Sequence, residues 1–222
     1  MYSAGLNQYD YFFKTDHHWK PEGAFWAFQR MAEHLKDKYG FDIDYDVVDL
    51  KNYSLLPIKS LFLGSYGRRV SFTYDGIDEC TLITPNFNTN LTYRIYTENK
   101  EYVGDYLNTV IRQERMSYNS VFSQAIYSAY LGGDYGFSAT FNENAKTNKR
   151  ILIIKDSFSW PFCSFMSLAV KEQYIVDMRY INRSKVWELY DQIKPDVVIV
   201  LYHARMMDQL NMFDFGIVGE HE

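Results

Sequence analysis

Residues 150–205 read RILIIKDSFSWPFCSFMSLAVKEQYIVDMRYINRSKVWELYDQIKPDVVIVLYHAR, with apolar runs and helix-like segments in alternation. ILIIK, YIVDMRY and KPDVVIVLYHAR each predict a strand. Pro161 suits the first turn of the intervening helix, and Asn182 leads into a second helix, RSKVWELYDQI. The stretch therefore predicts a β-α-β-α-β unit. Helices of this length between continuous apolar strands predict a parallel sheet, covered on both faces and wound with right-handed crossovers.

The rest of the chain extends this unit. Segment 21–40 predicts an amphipathic helix, because Pro21 suits its first turn and Gly40 its C-cap. From residue 41 to about 101, short β-branched and aromatic runs alternate with turn signals, so we expect a β-rich insertion. Segment 131–149 is rich in Gly, Asn and Ser and is predicted to be a loop. A length of 222 residues suits one sizeable core, and we expect a single α/β domain over 1–222.

Composition excludes some partners. The net charge is −5 and the Lys and Arg residues are dispersed, so the sequence predicts no basic surface that would bind nucleic acid. The sequence contains no run of about 18 apolar residues, so it predicts no membrane span. The aromatic fraction of 18% suits an aromatic-lined cleft, although core packing explains the same composition. Cys80 and Cys163 can form a disulfide only if the fold brings them together, so the redox state stays open.

Polar residues follow each of the three predicted strands. In open parallel sheets, ligands bind outside the carboxyl ends of the strands. Those ends carry Asp156 and Ser157, then residues 177–180 (DMRY), then residues 202–205 (YHAR). Ser157 lies at a strand-to-helix turn, which exposes its hydroxyl and places a helix N-terminus where negative charge would develop. We therefore expect a site at this edge.

The segment TDHHW, residues 15–19, supplies a base for that serine. Asp16 and His18 lie at i and i+2, so on extended or turn backbone they point to the same side, and the carboxylate can orient the imidazole. His17 is then expected to point the other way. An alternative stays open, in which Asp16 caps the next helix and His18 only packs. Combined with Ser157, the pattern favours a Ser-His-Asp triad.

The same three residues, Asp16, His17 and His18, are a rival metal-ligating group. A catalytic zinc site needs three ligands and an open position, and adjacent histidines on extended backbone diverge too far to share one ion easily. The remaining histidines offer no recognisable ligand spacing: His34, His203 and His221. We therefore expect no metal and no cofactor.

TDHHW followed by a Pro-x-Gly-Ala helix start resembles the signature of the bacterial DHHW protein family. This family is a branch of the SGNH-hydrolase-like superfamily and is related to the alginate O-acetyltransferases of exopolysaccharide export. Further blocks resemble the family in the same order, so the resemblance covers most of the chain: LFLGSYGRRV, LGGDYGFSATFNENAKTNKRILIIKDSFSWPF, YIVDMRYIN and KPDVVIVLYHAR.

The resemblance implies a Rossmann-like SGNH-type parallel sheet with a permuted motif order, in which the Asp-x-His element precedes the serine. By motif position, Ser157 is implied to be the nucleophile, His18 the general base and then acid, and Asp16 the orienting carboxylate. It further implies attack on an acetyl or other acyl ester, an acyl-serine intermediate, and transfer to water or to a sugar hydroxyl.

The oxyanion hole departs from the family pattern. Ordinary SGNH enzymes use the serine N–H with a Gly and an Asn from later blocks, but LYHAR replaces the block that carries the Asn. We expect the Ser157 N–H to serve, together with side chains that hold the oxyanion or the substrate: Arg179, Tyr180, Tyr202 and Arg205.

The sequence thus predicts a serine esterase or O-acetyltransferase that acts on acylated extracellular or cell-envelope carbohydrate. Two alternatives remain: a lipase-like carboxylesterase, and a catalytically silent glycan-binding or assembly module. The resemblance implies an extracytoplasmic full-length protein. It is also compatible with membrane or export-complex association through segments absent from this chain.

Overall fold

A computed structural model of the chain describes residues 8–70, 76–116, 126–209 and 213. Its helices are α1 (Gln8–Tyr11), α2 (Pro21–Tyr39), α3 (Tyr45–Val48), α4 (Gly67–Val70), α5 (Tyr106–Thr109), α6 (Trp160–Ala169) and α7 (Lys185–Ile193). Its strands are β1 (Tyr53–Phe62), β2 (Asp78–Pro85), β3 (Leu91–Ile95), β4 (Lys100–Gly104), β5 (Phe137–Asn142), β6 (Arg150–Lys155), β7 (Glu172–Val176) and β8 (Val197–Leu201). None of the helices in these ranges has both the length and the apolar character that a bilayer span requires.

Six strands form one mixed sheet in the order β4-β3-β5-β7-β6-β8. Strands β7, β6 and β8 are parallel, which confirms the β-α-β-α-β prediction for residues 150–205. The prediction of a parallel sheet is wrong for the other half, because β3 pairs antiparallel with β4 and β5, and β5 antiparallel with β7. The connection between β3 and β4 is short and passes through Asn99 at φ 51°. A connection this short permits only antiparallel pairing.

The segment predicted to be a β-rich insertion divides between two sheets. Strands β1 and β2 pair antiparallel in a two-stranded sheet of their own, whereas β3 and β4, which runs on to Gly104, extend the main sheet. The loop predicted over 131–149 is wrong in its middle, because β5 lies there and pairs with both β3 and β7. The Gly and Asn residues on either side of this strand are typical of loops, so the sequence pattern did not indicate a strand there.

The core lies on both faces of the main sheet. Along β6, Ile151 and Ile153 face a large cluster that includes α2 and α6, whereas Leu152 and Ile154 face a smaller cluster beneath α7. This alternation follows from the two-residue repeat of a strand. Because both faces are covered, the run ILII is apolar without interruption.

Helix α2 confirms the predicted helix over 21–40 in its type and its ends. Pro21 occupies its first turn, and Gly40 ends it in the left-handed region at φ 65°. Its buried face packs on α6, with the rings of Phe25 and Phe165 5.0 Å apart. The helix thereby fixes the TDHHW segment, which immediately precedes it, against the strand-to-helix turn that carries Ser157.

Candidate active site

The TDHHW segment is a closed loop in front of α2. An antiparallel bridge between Phe12 and Trp19 closes the loop of residues 12–19, which contains this segment. The buried carboxylate of Asp78, the first residue of β2, accepts hydrogen bonds from the N–H groups of Lys14 (3.0 Å) and Thr15 (2.7 Å). These contacts tie the loop to the two-stranded sheet, so its conformation depends on residues far along the chain.

Asp16, His18 and Ser157 form one hydrogen-bonded chain. The Nδ1–H of His18 donates to Oδ1 of Asp16, and Oγ of Ser157 lies 3.0 Å from Nε2 of His18. Asp16 is 7% exposed and His18 is 8% exposed, while Ser157 is half-buried. Because a carboxylate only accepts, it fixes the tautomer in which Nε2 can take the serine proton. The structure thus brings together the three residues that the sequence selected.

The Asp16 carboxylate is held by backbone donors as well. Its Oδ1 accepts from the N–H of His18 at 3.0 Å, and its Oδ2 accepts from the N–H of Ser65 at 2.6 Å. Gly64 permits this approach, because a Cβ there would lie 2.2 Å from the Cβ of Asp16. Burial acts to raise the pKa of Asp16, but the bonds from His18 and Ser65 outweigh burial and hold it well below its usual value. The carboxylate of Asp16 therefore stays ionised beside His18.

Ser157 begins a 3₁₀ turn between β6 and α6. The preceding Asp156 caps this turn by accepting from the N–H of Phe158 at 2.9 Å. Its other carboxylate oxygen accepts from the N–H of His203 at 2.9 Å, which joins the end of β6 to the end of β8. The strand ends are adjacent as predicted, and the turn presents the Ser157 hydroxyl toward His18.

His17 lies beside His18, so the expectation that it points the other way is wrong. The two ring centroids are 3.9 Å apart, and Nδ1 of His17 hydrogen-bonds with Oγ of Ser65 at 2.9 Å. The segment bends at these residues and is not extended, which removes the strict alternation of side chains. Burial, and then the neighbouring His18, lower the pKa of His17.

Asp16, His17 and His18 also form a group whose potential metal-ligand atoms lie within 4.8 Å of one another. The expectation that adjacent histidines diverge too far is therefore wrong. However, Asp16 and His18 bind each other, and their remaining acceptors face Ser65 and Ser157. Because these atoms already take part in hydrogen bonds, they suit a proton relay better than an open metal site. The absence of a metal stays a prediction.

A charged cluster around the buried residues Lys155 and Asp177 lies next to the serine turn. Lys155, which is buried, contacts Asp134 and Asp177 at 3.1 Å each. Arg179 binds Asp177 through Nε at 2.9 Å and through a terminal nitrogen at 2.7 Å, and it also reaches Asp134 at 2.8 Å. The indole N–H of Trp160 donates to Asp134 at 3.1 Å. Two carboxylates thus bind N–H donors of the Arg179 guanidinium. The role of Arg179 in holding the oxyanion stays a prediction.

The other predicted substrate residues lie near the same edge of the sheet. Tyr180 is 56% exposed, and the Arg179 guanidinium lies 5.3 Å from its ring centroid. Tyr202 is half-buried against Phe213, and burial raises its pKa to about 12. Arg205 is exposed. Their roles in binding substrate stay predictions.

Sequence reasoning gave no role to several residues that build this site. Gly64 and Ser65 lie in the LGSYG segment, which the family resemblance includes without assigning it a function. Asp78, Asp134 and Tyr127, whose ring stacks on His18 at 4.2 Å, carry no local signal, because each acts on residues distant in sequence. Cys80 and Cys163 are buried free thiols, so they form no disulfide with each other.

Solved structures share this fold. The structure of Bacillus cereus PatB1 with a sulfonyl adduct superimposes with a TM-score of 0.69 at 20% identity, covering 89% of this chain and 62% of that one. A second PatB1 structure gives 0.68 at 20% identity, with 89% and 64% covered. A DHHW family protein from Eubacterium siraeum gives 0.61 at 22% identity, with 95% and 61% covered. The chain thus spans about three fifths of the length of these proteins.

The sequence comparison agrees with the structural one. The family described as "DHHW protein" matches residues 1–176, which include the candidate triad and most of the main sheet. No curated protein matches the sequence significantly. At 20–22% identity, the structural likenesses establish the fold.

Proposed function

The chain belongs to the DHHW protein family, and on that basis we propose that it is a serine-dependent acyl-transferring enzyme, an esterase or O-acetyltransferase of the SGNH-like type. One observation carries this proposal: Asp16, His18 and Ser157 are linked by hydrogen bonds, and the acid is buried and anionic. A side-chain hydroxyl facing an oriented imidazole is what nucleophilic acyl transfer requires.

The first half of the reaction acylates the serine. Oγ of Ser157 attacks the carbonyl carbon of an acyl ester while Nε2 of His18 takes its proton. The Asp16 carboxylate stabilises the imidazolium that forms. The N–H of Ser157 stabilises the oxyanion, with Arg179 or Tyr180 as further donors. When the tetrahedral intermediate collapses, the ester C–O bond breaks, and His18 returns the proton to the leaving alcohol.

The second half transfers the acyl group. His18 removes a proton from water or from a sugar hydroxyl, and that oxygen attacks the acyl-serine carbonyl. Collapse releases an acid or a new ester, and the proton returns to Ser157. We propose an extracellular or cell-envelope carbohydrate as the substrate, on the strength of the family resemblance, and with it a site of action outside the cytoplasm.

The structural relatives give chemical support. One PatB1 structure carries a sulfonyl adduct, and sulfonyl groups attach to activated nucleophiles. We propose the same reactivity for Ser157, which is the hydroxyl that faces the oriented base.

Intact-mass spectrometry after incubation with p-nitrophenyl acetate tests the proposal, together with release of p-nitrophenol. We expect an acetyl adduct or turnover in the parent protein and neither in Ser157→Ala. Ser159→Ala is a matched control, because Ser159 lies in the same turn but its hydroxyl donates to the carbonyl of Asp156 at 2.8 Å. It should retain the reaction. Adding candidate sugars then separates transfer from hydrolysis.

Two results would count against the proposal. A parent protein with no adduct and no serine-dependent release would favour a glycan-binding module. A rate that stays flat from about pH 5 to pH 8 would exclude a histidine base, because a protonated imidazole cannot accept the serine proton.

A further inference from the structure

Tyr127 connects the two halves of the candidate triad. Its side chain is buried, and its hydroxyl accepts from the indole N–H of Trp19 at 3.1 Å. The same hydroxyl donates to the backbone carbonyl of Phe158. Trp19 ends the TDHHW segment, and Phe158 follows the nucleophile Ser157. One hydroxyl therefore bridges the base loop and the nucleophile turn.

The ring of Tyr127 also contacts the base itself. It stacks on the imidazole of His18 with centroids 4.2 Å apart and an interplanar angle of 30°. A ring held on this face restricts rotation of the imidazole about its side-chain bonds. Tyr127 thus acts on the orientation of His18 as well as on the position of its loop.

We propose that Tyr127 is a positioning residue that sets the distance and orientation between His18 and Ser157. The inference rests on the proposed acyl-transfer function. His18 and Ser157 are 139 positions apart in sequence, so only tertiary contacts fix the 3.0 Å between their side chains. A misplacement of about 1 Å can cost a reaction about 100-fold in rate.

Burial keeps the bridge intact across the working pH range. It raises the pKa of Tyr127 well above the ordinary value for a phenol. The hydroxyl therefore stays protonated and can donate to Phe158 while it accepts from Trp19.

The neighbouring Tyr130 offers a matched control. It is 1% exposed, against 2% for Tyr127, and its hydroxyl also makes two hydrogen bonds. It accepts from the N–H of Ile83 at 3.0 Å and donates to the carbonyl of Thr81 at 3.1 Å, both in β2. Removing either hydroxyl costs two hydrogen bonds, but only the Tyr127 pair lies at the triad.

The experiment compares Tyr127→Phe with Tyr130→Phe in the whole chain. We would measure kcat and KM for p-nitrophenyl acetate, the rate of labelling by phenylmethylsulfonyl fluoride, and Tm. In the labelling step, Oγ of Ser157 bonds to sulfur, the S–F bond breaks, fluoride leaves, and His18 takes the proton. Labelling reports nucleophile activation independently of any natural substrate.

We expect Tyr127→Phe to lower kcat and the labelling rate by about 10- to 100-fold, with KM unchanged. Tyr130→Phe should keep both rates near those of the parent while its Tm falls by a similar amount. Equal rates in the two variants would overturn the positioning role and leave the proposed function intact. A parent protein that neither reacts nor is labelled would overturn both.

A second variant covers the case in which Tyr127→Phe does not fold. Trp19→Phe removes the indole donor to Tyr127 but keeps an aromatic ring, and Trp26→Phe in α2 is its control. We expect a lower kcat with unchanged KM in Trp19→Phe alone. Equal kcat values in the two Trp variants would overturn the proposal.

Discussion

Replacing Gly64 with alanine should disable the candidate site by displacing Asp16. A Cβ at residue 64 would lie 2.2 Å from the Cβ of Asp16 and 2.5 Å from the carbonyl oxygen of Thr15. Because Cβ contacts shorter than 3.0 Å essentially do not occur, the first contact alone requires a movement of about 0.8 Å. Neither atom is the free end of a flexible side chain, so the TDHHW loop itself must shift.

The magnitude follows from that movement. A displacement of about 1 Å in catalytic geometry costs about 100-fold in rate, which is about 2.7 kcal/mol of activation free energy. Crowding of this kind also costs about 1–3 kcal/mol of stability. We therefore expect a fall of about two orders of magnitude in kcat for p-nitrophenyl acetate, with a moderately lower Tm.

Gly76→Ala separates the two effects. Gly76 has φ 75°, and a Cβ at this residue would meet no atom of the described residues within 4 Å. Alanine there costs about 1–2 kcal/mol through backbone strain without reaching Asp16. We expect this variant to lose stability and keep its kcat. If Gly64→Ala retained the kcat of the parent, the close approach of residue 64 to the carboxylate would have no catalytic importance, and our account of the site would be wrong.

Four further predictions follow from the site. His18→Gln should abolish turnover and His17→Gln should retain far more of it; equal losses in kcat would mean that the base is misassigned within the pair. Burial lowers the pKa of both His17 and His203, so the unfolded chain takes up protons first below about pH 6.5, and stability that is complete above this pH is lost as pH falls. Thermal melts from about pH 7 to pH 5 should show this loss as a falling Tm. The fall should be less steep in His17→Gln, and it should equal that of the parent in His34→Gln, which changes an exposed histidine. Lys155→Met should destabilise the protein by about 1–3 kcal/mol, because it removes one of the two cations that bind the buried carboxylate of Asp177 while Arg179 remains; a denaturant midpoint like that of the parent would contradict this. Activity should survive EDTA, and a loss that zinc restores would replace the serine mechanism with a metal-dependent one.

Local patterns sufficed for the parallel half of the fold. The apolar run of β6 is buried on both faces, so its character is visible in the sequence without knowledge of its neighbours. Helix α2 is similar, since Pro21 and Gly40 mark its ends by their own backbone preferences. Asp16 and His18 were identified because they lie two positions apart in one short segment, although contacts with distant residues decide how that segment bends.

The antiparallel half was missed for the opposite reason. Strand β5 carries Ser138 and Thr140 as buried residues, and its flanks are rich in Gly and Asn. Its strand conformation depends on pairing with β3 and β7, and Thr140 accepts a hydrogen bond from the side chain of Gln173 at 3.0 Å. Partners so distant in sequence leave no periodic trace, and β propensity depends strongly on such context.

The amino-acid sequence was enough to select Asp16, His18 and Ser157, because spacing and a strand-to-helix turn are local properties. The folded chain alone placed His18 3.0 Å from Ser157, through groups recruited from other segments. The N–H of Ser65 and the hydroxyl of Tyr127 are among these groups. Hydrogen bonds and ring contacts act over a few ångströms in space and are indifferent to separation along the chain, so local sequence reasoning could not find them.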